Sequence, residues 1–408
     1  MLAARTASRL LAGRHCRLLC AGADEGWVSV PLRANGRLSL RLPGASLRLV
    51  SDWSDEASVR AVGLPSGADL VVGEGEGANS ATVVLTGAVP AAAVVVECRV
   101  PQSTSVFAAA CLGVDVAGRL EGDVTLEAGA AADVVVDKLR GSDIVLLAGG
   151  DVEVRAVVEG ERVEVVAGGA VSVKRAMAGA VAMRAKAAGL SVGSLYAARA
   201  ELRAAGEVDL GSAHGVVVAA SAGGGVTISG LSGGASVEAA GDVAVHVDKL
   251  NAASMGDSGT EGGGADGAGA AALALRSVGG GVALTMAPAV AARLRVGAGG
   301  AVAAGKWLTE ARREQEGALL RVEGEWRSSE EKSRKTNAHS GKINVVGADA
   351  SSLSTSFFGK GDDEAGGIEH SMPLLNLEAP AGDVSVDRQD WQSMVLAKMA
   401  LRKKLGEE

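Results

Sequence analysis

Gly122-Asp-Val-Thr-Leu-Glu-Ala-Gly129, Ser142-Asp-Ile-Val-Leu-Leu-Ala-Gly149 and Gly150-Asp-Val-Glu-Val-Arg155 are one phrase written three times. It returns as Gly169-Ala-Val-Ser-Val-Lys174, Gly179-Ala-Val-Ala-Met-Arg184, Gly225-Val-Thr-Ile-Ser229 and Gly241-Asp-Val-Ala-Val-His246. Each copy is glycine or a small polar residue followed by alternating apolar and polar positions. Where copies adjoin, as from 142 to 150 and from 169 to 179, their starts fall within about 8–11 residues, the spacing of serial short strands. Alternation at period two puts Val, Leu and Ile on one face of each strand and half-buries it. The connections are too short for crossover helices, which need a dozen or more residues. An antiparallel sandwich would use aromatics and Asn-Gly or Asp-Gly hairpins, and neither is common here. The reading is therefore all-β: a single-stranded parallel β-helix, or β-solenoid, with about 20 residues and two strands per coil.

Composition agrees. The chain has 408 residues, 48% of them hydrophobic and 22% charged, with 58 glycines but only 2% aromatics. A rounded globule of this size fills its centre with rings, whereas a core of Val, Ala and Leu suits a narrow interior. Glycine spread periodically supplies many tight turns. The net charge of -8 argues against nucleic acid as a partner, because phosphate binding needs a basic surface. No run of about 18 apolar residues occurs, so no transmembrane segment is expected.

Outward from the repeats, residues 1–23 carry Arg5, Arg9, Arg14 and Arg17 among leucines, with the first acid at Asp24. This is the pattern of a transit peptide, which points to mitochondria, with a plastid as the alternative; it belongs outside the fold, with cleavage near Cys20. Residues 24–90 form an N-terminal β region of irregular strands, including Val28–Val30, Leu38–Leu42, Leu47–Val50 and Val83–Leu85, closed by Gly, Pro or Asn. Irregular terminal strands are what a stack needs to cover its own open end. Residues 91–305 are the β-solenoid repeat domain, with Pro101 ending the strand from Val94 and residues 251–271 a flexible, low-complexity loop. Residues 306–388 hold C-terminal coils with disordered insertions at 328–342 and 351–372, and one strand at Leu319–Trp326. Residues 389–408 form a C-terminal capping helix, N-capped by Asp390 or Asp387, with Trp391, Met394, Val395 and Met399 on one face and Arg402, Lys403 and Lys404 in the last turn.

Val94-Val-Val-Glu-Cys-Arg-Val-Pro101, Val106 and Gly122-Asp-Val-Thr-Leu126 together resemble the opening of the putative-adhesin β-helix family, a domain of unknown function. Ala379-Pro-Ala-Gly-Asp-Val-Ser-Val-Asp-Arg-Gln-Asp-Trp391 is similar to the C-terminus of its eukaryotic, organellar members. The resemblance spans roughly residues 90–392 and implies a single-chain, right-handed β-helix. It carries over no catalytic, cofactor or metal residue.

The residues themselves offer few candidates for chemistry. Asp123, Asp143, Asp151, Asp242 and Asp383 each open a strand phrase. As a ladder they could bind calcium or a sugar, but Asp commonly bonds nearby amides in turns, and that reading is preferred. Of the histidines His15, His214, His246, His339 and His370, His246 with Asp248 two residues on could do acid–base work; without a nucleophile motif it reads as a surface or satisfied histidine. Cys16 and Cys20 fall in the leader, and Cys98 and Cys111 share no metal spacing and read as buried thiols. Gly262-x-Gly264-x-x-Gly267 has neither the strand nor the helix a dinucleotide site needs. Lys332, Arg334 and Lys335 alternate with acids and serines as a solvated loop. No catalytic, cofactor or metal residue is assigned. The expectation is a non-enzymatic scaffold that binds an unidentified protein partner. The alternatives are a polysaccharide-acting β-helix enzyme, which fold analogy alone supports, and a self-assembling structural protein. Whether the chain works as a monomer or an oligomer does not follow from the sequence.

Overall fold

The computed structural model describes residues 16–18, 26–77, 79–87, 94–110, 112–250, 273–287, 290, 292–298, 302–304, 308–316, 319–326 and 374–388. For 16–18, 292–326, 374 and 388 the description is of the backbone. These residues form strands and turns, with no helix among them. The chain divides into two compact units, Met1–Ser191 and Val192–Glu408.

In the first unit the strands are β1 (Cys16–Leu18), β2 (Val28–Val30), β3 (Arg37–Leu42), β4 (Ala45–Asp52), β5 (Ala57–Val62), β6 (Asp69–Glu74), β7 (Ser80–Thr86) and β8 (Val94–Pro101). They continue with β9 (Ser105–Ala110), β10 (Gly113–Glu121), β11 (Val124–Ala128), β12 (Val134–Ala148), β13 (Val152–Ala167) and β14 (Val171–Ala185). The repeat phrases are parallel coils. Val134 lies beside Val152 and Val152 beside Val171, steps of 18 and 19 residues. A coil has three paired segments rather than two. In β12 they are Val134–Val136, Lys138–Gly141 and Asp143–Ala148, separated by an irregularity after Val136 and a break at Ser142.

Inward positions repeat from coil to coil, so like stacks on like. Ile144, Val163 and Val181 form one buried row, and Leu146, Val165 and Met183 the next. Each fully buried Val or Leu contributes about 1.5–3 kcal/mol. Rows spaced about 4.8 Å apart hold branched aliphatics side by side and leave little room for rings. That is the physical content of the low aromatic fraction.

The end of this unit is not stacked in sequence order. β3 lies between β7 and β9, and β4 between β8 and β10, all parallel. Outside them, β6 pairs with β7 and β5 with β8 in antiparallel fashion, and the three-residue strands β1 and β2 pair with β6 and β5. The boundary read near residue 90 thus falls inside one coil layer, between β7 and β8. The N-terminal strands cover the end of the stack, as the irregular pattern suggests, and short antiparallel edge strands present few unpaired groups. Cys16–Leu18, within the stretch read as a leader, pairs with β6.

The second unit holds most of β15 (Leu190–Ala204), then β16 (Val208–Ser221), β17 (Val226–Ala239), β18 (Val243–Leu250), β19 (Leu273–Ser277), β20 (Val282–Met286), β21 (Ala292–Ala298), β22 (Val302–Ala304), β23 (Leu308–Glu316), β24 (Leu319–Trp326), β25 (Leu374–Ala379) and β26 (Val384–Arg388). One register row reads Val208, Val226, Val243, Val282, Val384, Val302. The order inverts at the end. The late coil β25–β26 sits between β19–β20 and β21–β22.

β18 and β19 belong to one coil layer interrupted by residues 251–272. Leu250 pairs with Gly233 and Leu273 with Ala235, so the ladder resumes two positions on. The loop read at 251–271 lies outside the described residues, as do the insertions at 328–342 and 351–372 and the helix at 389–408. Asp387, one of the two proposed helix caps, lies in β26. β23 is a strand that the charged run Leu308–Glu316 conceals. Antiparallel pairing with β24 overrides its weak strand pattern.

Candidate functional site

The aspartates at the coil corners are staples. The Ala170 N–H donates to Asp151 Oδ1 at 2.7 Å, the Asp151 N–H to Asp133 Oδ1 at 2.8 Å, and the Gly281 N–H to Asp242 Oδ1 at 2.7 Å. Asp123 Oδ1 accepts from the amides of both Ser142 and Asp143. The turn reading holds with one change, for the amides belong to the next coil rather than to the same turn. Parallel stacking brings that coil's corner within reach. Asp143 instead meets Arg162 Nε at 2.8 Å, and Asp383 occupies the equivalent corner, its carbonyl accepting from the Val282 N–H at 2.8 Å. Among the described residues no group of three His, Cys, Asp or Glu side chains is placed to hold a metal.

Sequence brings His246 and Asp248 together, and the fold adds Thr285. His246 Nδ1 lies 2.9 Å from Thr285 Oγ1, and Nε2 lies 3.3 Å from Asp248 Oδ1. Register places Thr285 beside His246 on the neighbouring strand, with Asp387 next in the same row. The imidazole is 9% exposed although its position alternates outward. Which of Thr285 Oγ1 and His246 Nδ1 donates follows the tautomer of the ring. The approach of Nε2 to Asp248 falls outside hydrogen-bonding geometry, so this contact is electrostatic rather than a directed bond. The hydroxyl–imidazole contact ties β18 to β20.

The outer faces carry rows set by register. In the first unit Arg60, Glu97, Arg48 and Asp115 lie side by side on β5, β8, β4 and β10, alternating in charge. Arg60 Nε donates to Glu97 Oε2 at 2.7 Å, and Arg48 approaches the same carboxylate at 3.8 Å. The Arg60 and Arg99 guanidiniums pack over Trp27, 4.7 and 4.2 Å from the ring centroid, a cation–π pair at the margin of the row. Val62 and Val95 are exposed register partners one row away, and Trp53 is 87% exposed.

In the second unit Tyr196, the chain's only tyrosine, stacks on His214 with centroids 4.4 Å apart. A groove of about 470 Å³ crosses successive coils at one corner. Arg203 and Glu238 border it, and Ala204, Ala220, Ala239 and Val278 line its apolar floor. Ser221 and Ser277 seal this corner. Each buried hydroxyl donates to a carbonyl of the preceding coil at 2.7 Å and accepts an amide of its own turn at 2.9 Å.

Cys98 is buried, and burial pushes its thiol up to about 12. It is a core residue. Cys20, Cys111, His15, His339, His370, the Gly262–Gly267 match and the Lys332–Lys335 cluster lie outside the described residues. The sequence reading missed the serine staples, although Ser221-x-Gly-Gly-Gly225 and Ser277-x-Gly-Gly-Gly281 are a visible repeat. It also missed Thr285 and Trp27, whose roles come from partners 39 and 33 residues or more away.

Parallel coils with polar side chains committed to register define each unit as a β-solenoid. No family model matches the chain, and no curated protein matches its sequence. Two solved structures do: a putative adhesin from Bacteroides fragilis and a putative cell adhesion protein from Clostridium sporogenes. The first is 12% identical over 56% of this chain and 93% of that one, with a TM-score of 0.27. The second is 8% identical over 90% and 99%, with a TM-score of 0.19. Both are named for adhesion, as is the family that the sequence resembles. Superpositions this loose carry no argument, and the fold rests on the ladder pairings themselves.

Proposed function

We propose that the protein is a non-enzymatic β-solenoid scaffold that docks a protein partner, and that it works in mitochondria as an organellar relative of the family it resembles. The carrying observation is the outer face of β5, β8, β4 and β10, where a charge-alternating row lies beside exposed Val62 and Val95. Such a face offers register-fixed charges for specificity and apolar area for affinity. The coil corners, by contrast, spend their polar groups on holding the stack together. The same reading makes the coil right-handed and residues 389–408 a helix that closes its end.

The test is proximity labelling in the native cell with wild-type protein and with a variant carrying Val62→Asp and Val95→Asp. A reproducible set of mitochondrial neighbours lost in the folded variant supports the reading. An unchanged set would move the docking face elsewhere, and an empty set with folded, imported protein would reject the scaffold. Localisation is tested apart from this by fusing residues 1–30 to a fluorescent protein, where cytosolic fluorescence rejects the leader.

A further inference from the structure

The coil β25–β26 is placed where chain order would not put it. After β20 the chain leaves one layer vacant, builds β21–β22 and the antiparallel strands β24 and β23, and only then returns. Leu375 pairs with Leu273 on one side and with Leu294 on the other, and Val384 with Val282 and Val302. Both edges of the returning coil are thus hydrogen-bonded in parallel register. Its inward side chains Leu375, Leu377, Ala379, Val384 and Val386 are all buried. The corner Gly382 fits against the backbone of Gly280 and Gly281 so closely that a Cβ there would clash with both.

β21 meanwhile has its second edge on β24, and β24 its second edge on β23. The three-stranded sheet β21–β24–β23 therefore has a ladder of its own beside the late coil, while β22 pairs with β26. β19 and β20 likewise stand on β17 and β18. In these pairings residues 374–388 alone join the two ladders.

We infer that the layer between β19–β20 and β21–β22 is a strand-acceptor slot, and that residues 374–388 are a separable plug which the slot also takes in trans from a second copy of the chain. The slot selects its occupant by pattern: apolar residues at alternate positions, a small residue before a glycine corner, then Asp and alternating valines. Residues 327–373, 47 positions of chain between Trp326 and Leu374, tether the plug in cis. Covalent connection makes filling of the slot by its own plug intramolecular, so the intact chain fills its own slot first.

The experiment uses the full chain with a site-specific protease sequence inserted at 345, cut after folding. The probe is a fluorescent synthetic peptide of residues 373–388. The cut protein is expected to keep its strand signal in circular dichroism and to take up the peptide in size exclusion. Uptake by uncut protein should be at least about 10-fold slower, because the tethered copy competes. A peptide carrying Leu377→Asp and Val384→Asp should not bind. Three results overturn the inference: folded cut protein that takes up no peptide, equal uptake of the Asp-bearing peptide, or loss of the strand signal on cutting, which would show that the slot does not exist without its plug.

Discussion

Replacing Gly224 with alanine tests whether coil corners are held at backbone contact. A Cβ at Gly224 would lie 2.7 Å from Glu207 N, 2.8 Å from Gly206 C and 2.9 Å from Glu207 Cα. All three are backbone atoms of the preceding coil, so no side chain can swing aside. Reaching an ordinary 3.4 Å contact moves that corner by about 0.7 Å. Ser221 bridges the same gap, donating to Gly206 O at 2.7 Å and accepting the Gly224 amide at 2.9 Å. A shift of about 0.7 Å stretches the first bond to about 3.4 Å, beyond useful geometry. Overpacking and one lost buried bond together cost about 2–4 kcal/mol. Urea unfolding followed by circular dichroism measures it. Gly179→Ala is the control, since its Cβ would meet one carbonyl oxygen at 3.0 Å, and it should change stability by less than about 1 kcal/mol. In a Ser221→Ala background the Gly224→Ala cost should fall by about 1 kcal/mol, because the bond it breaks is already gone. Equal costs for the two glycines, or strict additivity with Ser221→Ala, would refute the reasoning.

Asp151→Ala should cost about 1–2 kcal/mol and speed exchange of the Ala170 amide, while Asp151→Asn, which keeps the acceptor oxygen, should recover most of both; amide hydrogen exchange reads this directly. Leu146→Ala should cost about 2–5 kcal/mol in the same unfolding assay, since Leu146 is wholly buried. Cys98 should resist alkylation in the native state and react on unfolding, as peptide mapping would show. Its folded value of about 12 stands above the ordinary 9.0, so the unfolded chain ionises first. Stability from this group is then whole below pH 9 and falls between pH 9 and 12, by up to about 1.4 kcal/mol per pH unit. Cys98→Ala should remove that part of the slope, and an unchanged slope would place the thiol in water.

Much of this architecture was legible because a solenoid writes its register into the sequence. The valine of each Gly-Asp-Val phrase, at positions 124, 152, 243 and 384, enters a buried row, and alternation predicts which neighbours face out. Pro101 ends β8 as its missing donor requires. What could not be read is adjacency between segments distant along the chain. Nothing in Arg37–Leu42 says that its neighbours will be β7 and β9, and nothing in Leu374–Ala379 says that it returns between strands 81 and 102 residues earlier. Alternation fixes which face is buried but is the same whichever coil lies alongside. For the same reason His246 and Asp248 were visible as a pair while Thr285 was not.

The non-sequential layers found in each unit answer a problem that uniform coils create. A stack built strictly in order ends on a fresh coil whose open edge matches the next copy of itself, which is an invitation to polymerise. In the first unit the layer of β3 and β4 is buried between β7–β8 and β9–β10, and the antiparallel strands β6 and β5 cover β7 and β8. In the second unit the late coil is buried in the same manner, and β24 and β23 lie outside β21. In both, parallel strands meet antiparallel ones outside them: β7 and β8 in the first unit, β21 in the second. That change of direction is a physical argument against the filament alternative, because an antiparallel edge does not template the parallel coil that would extend the stack. Its cost is topological: the layer beside the end needs strands distant in sequence, whose loop closure comes late in folding. The slot occupied by residues 374–388 is that cost made visible.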